Sequence, residues 1–252
     1  MTNIIMVGCN GHMGQMISSI VEEDSDSRIV AGVDIFTEKK NSYPVYANIS
    51  EVKEDADAII DFSSPKVLDS VLTYAKEKKV PLIECSTGYT EEQVEQINAA
   101  SKEVAVVRSA NMSVGINLLM KLLKTAAKKL VNEGYDVEIV EKHHNLKKDA
   151  PSGTALALAD AVNEASDNRF NYVYDRSKVS QARDKKELGI SAVRGGTIVG
   201  DHDVIFAGTD EVITFSHTAY SKAVFAKGAV VAAKFIKGKG AGLYDMSDVL
   251  DI

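Results

Sequence analysis

The first hundred residues alternate short, unbroken apolar runs with helical stretches, and few folds accept that rhythm. NIIMVG is followed by a helix-like run from Met13 to Glu23, then by RIVAGVD, AIIDF, Val67 to Lys79, VPLIECS, Glu91 to Lys102 and VAVVRS. A strand that is apolar at successive positions has both faces covered, which happens when helices lie on each side of a parallel sheet. The expectation is a doubly wound α/β sheet. Ligands of such sheets bind beyond the carboxyl ends of the strands, so the residues that close each run become the candidates for function.

Beyond this region the pattern changes. Ser113 to Asn132 reads as a lysine-rich helix with apolar Leu118, Leu119, Leu122 and Leu123, leading into the strand Tyr135 to Val140 (YDVEIV) and, after a loop, the helix Thr154 to Ala165. Asp167 to Leu188 is polar and aperiodic, so a long excursion with weak structure is expected there. Strands return in ISAVRGG, TIVGDHDVIFAG and DEVITFSHTA, with turns at Gly195-Gly196 and Gly208-Thr209-Asp210. Tyr220 to Lys237 is helical in period and is expected to pack back on the first domain.

Gly8, Gly11 and Gly14 lie between the first strand and the first helix, where a dinucleotide pyrophosphate would meet helix N–H groups. Their GxxGxxG spacing departs from GxGxxG, and an ordinary turn stays open as a reading. Asp34 closes the second strand, where an acid would accept from a ribose hydroxyl, although a strand-end turn also uses aspartate. An acid there repels a 2′-phosphate, and Ile35 follows it rather than an arginine; Lys39 and Lys40 lie nearby. NADH is the first choice of cofactor and NADPH the second. Cys85, Ser86 and Thr87, and Ser109, Ala110, Asn111 and Met112, end two further strands and could touch the same ligand or merely cap the helices that follow.

The densest chemistry lies in Glu141 to Thr154, EKHHNLKKDAPSGT, which joins two histidines, three lysines and a Pro-Ser-Gly-Thr turn on the loop between a strand and a helix. A helix beginning at Ser152, Gly153 and Thr154 offers backbone N–H groups to a carboxylate or phosphate. This basic cluster stands against a net charge of −7, which disfavours nucleic acid and suits a small anion. The bland readings are a solvated lysine loop and an ordinary helix start. The two cysteines, Cys9 and Cys85, have no metal-ligand spacing, so no metal is expected. With no signal-peptide pattern and no spanning stretch, the expected location is the cytoplasm.

Taken together, VGCNGHMG, DFSSP, STGYT, SANMSVGIN, EKHHNLKKDAPSGTA and VRGGTIVGDHDVIFAG resemble the 4-hydroxy-tetrahydrodipicolinate reductase family, formerly called dihydrodipicolinate reductases, of bacterial lysine and diaminopimelate synthesis. The resemblance covers nearly the whole chain, and the HHNLKKDAPSGTA segment is its most specific part. It implies a Rossmann domain built from residues 1–112 and 218–252, and a substrate domain, residues 113–217, whose open mixed sheet assembles a homotetramer. It also implies NADH or NADPH as cofactor and reduction of a cyclic imine bearing two carboxylates. By motif position His143 is the catalytic proton donor, Lys147 the second catalytic cation and His144 a substrate contact, with Gly153 and Thr154 holding a substrate carboxylate. Gly8, Cys9, Asn10, Gly11, His12, Met13, Asp34, Cys85 to Thr87 and Ser109 to Met112 match the family's cofactor contacts. Many relatives carry an arginine after the Asp34 position, and its absence leaves the cofactor preference open.

Residue chemistry is compatible with these roles, since imidazole titrates near neutral pH and an ammonium polarises a substrate. His202 and His217, in expected strands, and Arg194 read as structural or interface residues. A hydrolase using Ser152 and His143 would lack a GxSxG elbow. A non-catalytic nucleotide sensor would lack an effector surface, and an amino-acid or semialdehyde dehydrogenase would leave DAPSGT unexplained.

Overall fold

Along β1 (Thr2–Val7), Ile4 and Met6 enter one apolar cluster and Ile5 and Val7 another, so the strand is buried on both sides. A computed structural model describes all 252 residues, and they divide into two units: Met1–Val114 with Ala223–Ile252, and Gly115–Lys222.

The first unit contains α1 (His12–Glu22), β2 (Ser27–Val33), β3 (Val45–Tyr46), β4 (Ala58–Asp61), α2 (Leu68–Lys78), β5 (Leu82–Glu84), α3 (Glu91–Ala100) and β6 (Ala105–Arg108). The second contributes α4 (Val114–Leu130), β7 (Asp136–His143), α5 (Gly153–Ala165), β8 (Asn171–Val173), β9 (Glu187–Arg194), β10 (Gly200–Ala207) and β11 (Val212–Ala219). The chain then returns to the first unit with α6 (Ala223–Ile236), β12 (Gly242–Tyr244) and α7 (Met246–Leu250).

The first unit's sheet runs β12-β6-β5-β4-β1-β2-β3, and every neighbouring pair is parallel. Ile17 and Val21 of α1 and Ala229 and Ala233 of α6 cover one face beside Ile60, Ile83 and Val107. Val71, Leu72 and Ile97 of α2 and α3 cover the other, beside Ile59, Leu82 and Val106. Each such side chain is fully or nearly fully buried, an environment worth about 1.5–3 kcal/mol per large aliphatic residue. This is the doubly wound, Rossmann-type sheet that the apolar runs imply. Its strand order turns back at β1, between β2 and β4, which makes the ends of those strands a ligand crevice.

The second unit holds a mixed sheet, β11-β10-β7-β9-β8. β10 is antiparallel to both β11 and β7, while β7, β9 and β8 are parallel. One face is filled by Leu119, Leu123, Leu158 and Val162 of α4 and α5 against Val137, Ile139, Leu188, Ile190, Val204 and Phe206.

Two expectations need correction. β7 does not end at Val140 but runs to His143, so the three residues that open the basic segment, Glu141, Lys142 and His143, belong to the strand. The 167–188 excursion contains β8 and is fastened by ion pairs rather than by apolar period. Arg176 bonds both Glu138 oxygens at 3.0 and 2.7 Å, and Arg183 bonds Glu138 and Asp136 at 2.9 and 3.0 Å.

Candidate functional site

Alternation along β7 decides the environment of the first histidine. Val137, Ile139, Glu141 and His143 occupy the buried face, so the apolar pattern of the strand continues into a glutamate and an imidazole. Glu141 is 0% exposed and His143 8%. Glu141 Oε2 lies 2.6 Å from His143 Nδ1, and Arg194 Nη1 and Nη2 donate to the two carboxylate oxygens at 2.7 Å each. The Ser152 amide donates to Oε1 at 2.9 Å. Burial alone would raise this carboxyl, but the guanidinium, the imidazole and the amide outweigh it and hold Glu141 below the ordinary carboxylate range. A charged Glu141 makes Nδ1 the hydrogen-bond donor, which leaves Nε2 as the ring position for exchange with a ligand.

The loop beyond is pinned at several points. Gly195 N donates to His143 O, Asn145 N to Gly196 O, and Arg194 Nη2 to Asp149 O. The Lys147 amide donates to His144 O, and its ammonium lies 2.9 Å from Asp149 Oδ1, holding that carboxyl below its usual range. His144 and Lys147 are half-buried, whereas Asn145, Leu146 and Lys148 are exposed. Ser152 caps α5 by accepting from Ala155 N at 3.1 Å, and its hydroxyl also meets His202 Nε2 at 3.0 Å. Gly153 is exposed and open around its Cα, and Thr154 is half-buried. Thus His143, His144, Lys147, Gly153 and Thr154 all belong to one strand end, its loop and the following helix start.

Sequence reasoning missed Glu141 because it ended the strand too early; extending the alternation by one residue reaches it, and by three reaches His143. Arg194, read as structural, is the counter-ion that keeps Glu141 charged. His202 is buried at 4% exposure and stacks edge-on to His143, with ring centroids 5.1 Å apart.

In the first unit, Gly8, Asn10, Gly11 and Asp34 line a depression of about 420 Å³ together with Ile35, Phe36, Phe62, Ser63 and Ser64. Gly8 has φ of 78°, and a Cβ there would approach Phe62 O to 2.6 Å, so the turn requires glycine. At Gly14 a Cβ would lie 2.2 Å from Gly8 O, which is why α1 can start so close to the turn. Asp34 Oδ2 accepts from Asn10 N at 2.9 Å and Oδ1 from Phe36 N at 3.0 Å; each oxygen keeps another lone pair. Ile35 and Phe36 beside it are 77% and 70% exposed.

The remaining cofactor candidates scatter. Cys9 points into the core, where burial and then Asp34 push its thiol up to about 12, so only its backbone belongs to the turn. Met13 and Met112 also pack into the core. His12 is exposed at the start of α1. Ser86 Oγ accepts from Ser63 N at 3.0 Å, tying the β5 and β4 ends together, and Thr87 is exposed. Ser109 and Ala110 follow β6, and Asn111 Oδ1 accepts from Ser113 N at 2.8 Å ahead of α4. No group of three or more His, Cys, Asp or Glu side chains could hold a metal ion.

Comparison with known proteins is consistent along the chain. The family model described as dihydrodipicolinate reductase, N-terminus, matches residues 2–112, and that described as dihydrodipicolinate reductase, C-terminus, matches residues 115–250. A 4-hydroxy-tetrahydrodipicolinate reductase of Caldanaerobacter subterraneus subsp. tengcongensis is 50% identical over 99% of this chain and 98% of its own length. One from Clostridium tetani is 48% identical over 100% and 98%. A dipicolinate-bound dihydrodipicolinate reductase from Paenisporosarcina sp. TG-14 has the same fold, with a TM-score of 0.81 at 23% identity and 98% coverage of both chains.

Proposed function

The chain belongs to the dihydrodipicolinate reductase family, and from that premise we propose how its residues carry out the reaction. It is an NAD(P)H-dependent oxidoreductase that reduces 4-hydroxy-tetrahydrodipicolinate to tetrahydrodipicolinate in lysine and diaminopimelate biosynthesis. The bound cofactor supplies the hydride. The observation that carries the assignment of roles is the buried His143–Glu141–Arg194 chain at the mouth of a basic loop.

Reduction of a conjugated imine builds negative charge on the substrate ring, so the protein supplies positive charge and then a proton. His143 donates that proton from Nε2, its other nitrogen being committed to Glu141. Lys147 polarises the substrate and exchanges its Asp149 partner for a substrate carboxylate. His144, Gly153 and Thr154 anchor carboxylate at the start of α5, converting binding energy into orientation.

The cofactor fits the first unit on three observations: a helix N-terminus behind a tight glycine turn, an acid fixed at the end of β2, and an adjacent depression with exposed apolar residues. Asp34 would accept from a ribose hydroxyl, and Ile35 and Phe36 would offer the adenine ring an apolar surface. Since the acid repels a 2′-phosphate, NADH is favoured over NADPH. Residues 85–87 and 109–112 would hold the remainder, Cys85 and Met112 through their backbones because their side chains pack into the core. Replacing Asp34 by alanine is expected to weaken NADH about tenfold while improving NADPH relative to it, a loss of about 1.4 kcal/mol; equal affinities before and after would move the ribose elsewhere.

The second unit's sheet supports a homotetramer. Opposite its helices, Val140 and Ile205 are only half-buried, and Val212 on the edge strand is 62% exposed. Apolar residues on an open sheet face are suited to a second copy. A cytoplasmic location fits the reducing environment that two unpaired cysteines imply.

The experiment follows NADH and NADPH oxidation by the purified protein, with substrate made in situ from pyruvate and aspartate semialdehyde by the preceding synthase. Oxidation that depends on the synthase is the expected result. No oxidation with either cofactor, from folded protein, would overturn the reading.

A further inference from the structure

Two acids at the carboxyl edge of the parallel sheet have no part in the chemistry above. Asp61 ends β4, Glu84 ends β5, and they are register partners, 0% and 1% exposed. Register partners on adjacent parallel strands stand side by side, about 4.8 Å apart along the sheet, with side chains on the same face. One oxygen of each is well held. Asp61 Oδ1 accepts from Ser63 N at 2.9 Å, from Ser63 Oγ and from Ser86 Oγ at 3.4 Å. Glu84 Oε1 accepts from Ser86 N at 3.0 Å and Tyr89 OH at 2.6 Å. The other oxygen of each, Asp61 Oδ2 and Glu84 Oε2, is buried without any partner.

Two bare acceptors on neighbouring buried carboxyls are costly if both are charged and satisfied at once if a hydrogen lies between them. We propose that Asp61 and Glu84 share one proton in an O–H···O hydrogen bond, and that this bond positions the loops after β4 and β5. Those loops carry Ser63 and Ser64 of the depression and residues 85–87, so the functional half of the inference rests on the NAD(P)H reading given above. Asp61 and Glu84 are thus positioning residues, acting through Ser63 and Ser86.

The surroundings favour retention of that proton. Burial pushes Asp61 up, and burial together with Asp61 pushes Glu84 up. Facing groups are Tyr89, whose hydroxyl donates to Glu84, Arg108, the register partner of Glu84 on β6 that partly offsets the rise, and the Cys85 thiol, which burial and the two acids keep protonated. On the other side Asp61 pairs with Val7, which brings no charge. A carboxyl raised in the native state binds a proton that the unfolded chain releases. Its contribution to stability therefore falls as pH rises from the ordinary carboxylate range through the raised native value.

Infrared spectroscopy of the cofactor-free full-length protein tests the first half. The expected result at neutral pH is a protonated-carboxyl C=O band that shifts in deuterated buffer, fades in alkaline buffer and is missing from both Asp61→Asn and Glu84→Gln. Absence of that band from the wild type overturns the shared proton, with or without the variants. NADH titrations test the second half. Wild-type affinity is expected to fall toward alkaline pH by up to about tenfold per pH unit, the limit for one linked proton. Glu84→Gln, whose amide donates permanently to Asp61, is expected to abolish that dependence. An equal pH dependence in both proteins, or none in the wild type, overturns the positioning role. A wild type that binds no NADH at any pH counts against the NAD(P)H reading, and the infrared band still decides whether the proton is shared.

Discussion

A carboxylate at 0% exposure persists as an anion only when its charge is met, and Glu141 is met by a bidentate guanidinium, an imidazole and an amide. The same contacts fix the orientation of His143, so under the proposed mechanism stability and catalysis depend on one side chain. Glu141→Gln strands the Arg194 charge and removes the anionic partner of Nδ1. It is expected to cost about 3–5 kcal/mol in denaturant unfolding, the range for breaking a buried pair from one side, and to lower kcat more than it changes the KM for NADH. Lys147 differs, because its partner Asp149 is exposed and its removal leaves no buried charge. Lys147→Ala is expected to keep the melting temperature and the affinity for NADH while turnover drops by at least about a hundredfold. Stopped-flow turnover beside a cofactor titration checks it; undiminished turnover would remove Lys147 from the mechanism.

Elements explain why part of this arrangement could be read from sequence and part could not. Unalternated runs such as NIIMV have one physical interpretation, burial on both faces, and the parallel sheet follows from it. β7 is harder: Glu141 and Lys142 break its apolar run, yet the period of two continues because paired charges replace apolar contacts. β3, β8 and β12, of two or three residues each, are too short to carry a period, and the 174–186 segment is held by arginines that no periodicity reveals. The α5 cap itself is local and legible at Ser152, but the contact of its hydroxyl with His202 belongs to this second class, since the two lie fifty positions apart. Burial, then the neighbouring His143, lowers the His202 imidazole from the ordinary 6.5 to about 4. A lowered imidazole binds fewer protons folded than unfolded, so its contribution is present above about 6.5 and lost as pH falls toward about 4. The melting temperature of the wild type is expected to fall more steeply across that window than that of His202→Gln, as calorimetry at several pH values would show. Ser152→Ala is expected to cost about 1 kcal/mol through the lost cap.

On the scale of the whole molecule, the two units differ in how much of the chain each needs. The second draws its apolar cluster from residues between Ile116 and Phe215, a continuous segment. The first depends on the chain returning: Ala226, Ala229, Val230, Ala232, Ala233, Ile236 and Met246 fill one face of a sheet whose other strands come from the first 108 residues. Without α6, β1, β4, β5 and β6 lose the helix that packs on that face, and apolar residues such as Ile60, Ile83 and Val107 lose the cover it gives them. Residues 115–222 expressed alone are therefore expected to fold, giving dispersed amide resonances and a cooperative thermal transition. Residues 1–114 alone are expected to aggregate or to bind hydrophobic dye without a cooperative transition. Adding 223–252 as a separate peptide should restore both the transition and NADH binding, because the missing contribution is a packed surface rather than a covalent link. A cooperative fold for 1–114 by itself would show that the opposite face, under α2 and α3, supplies enough burial to hold the sheet.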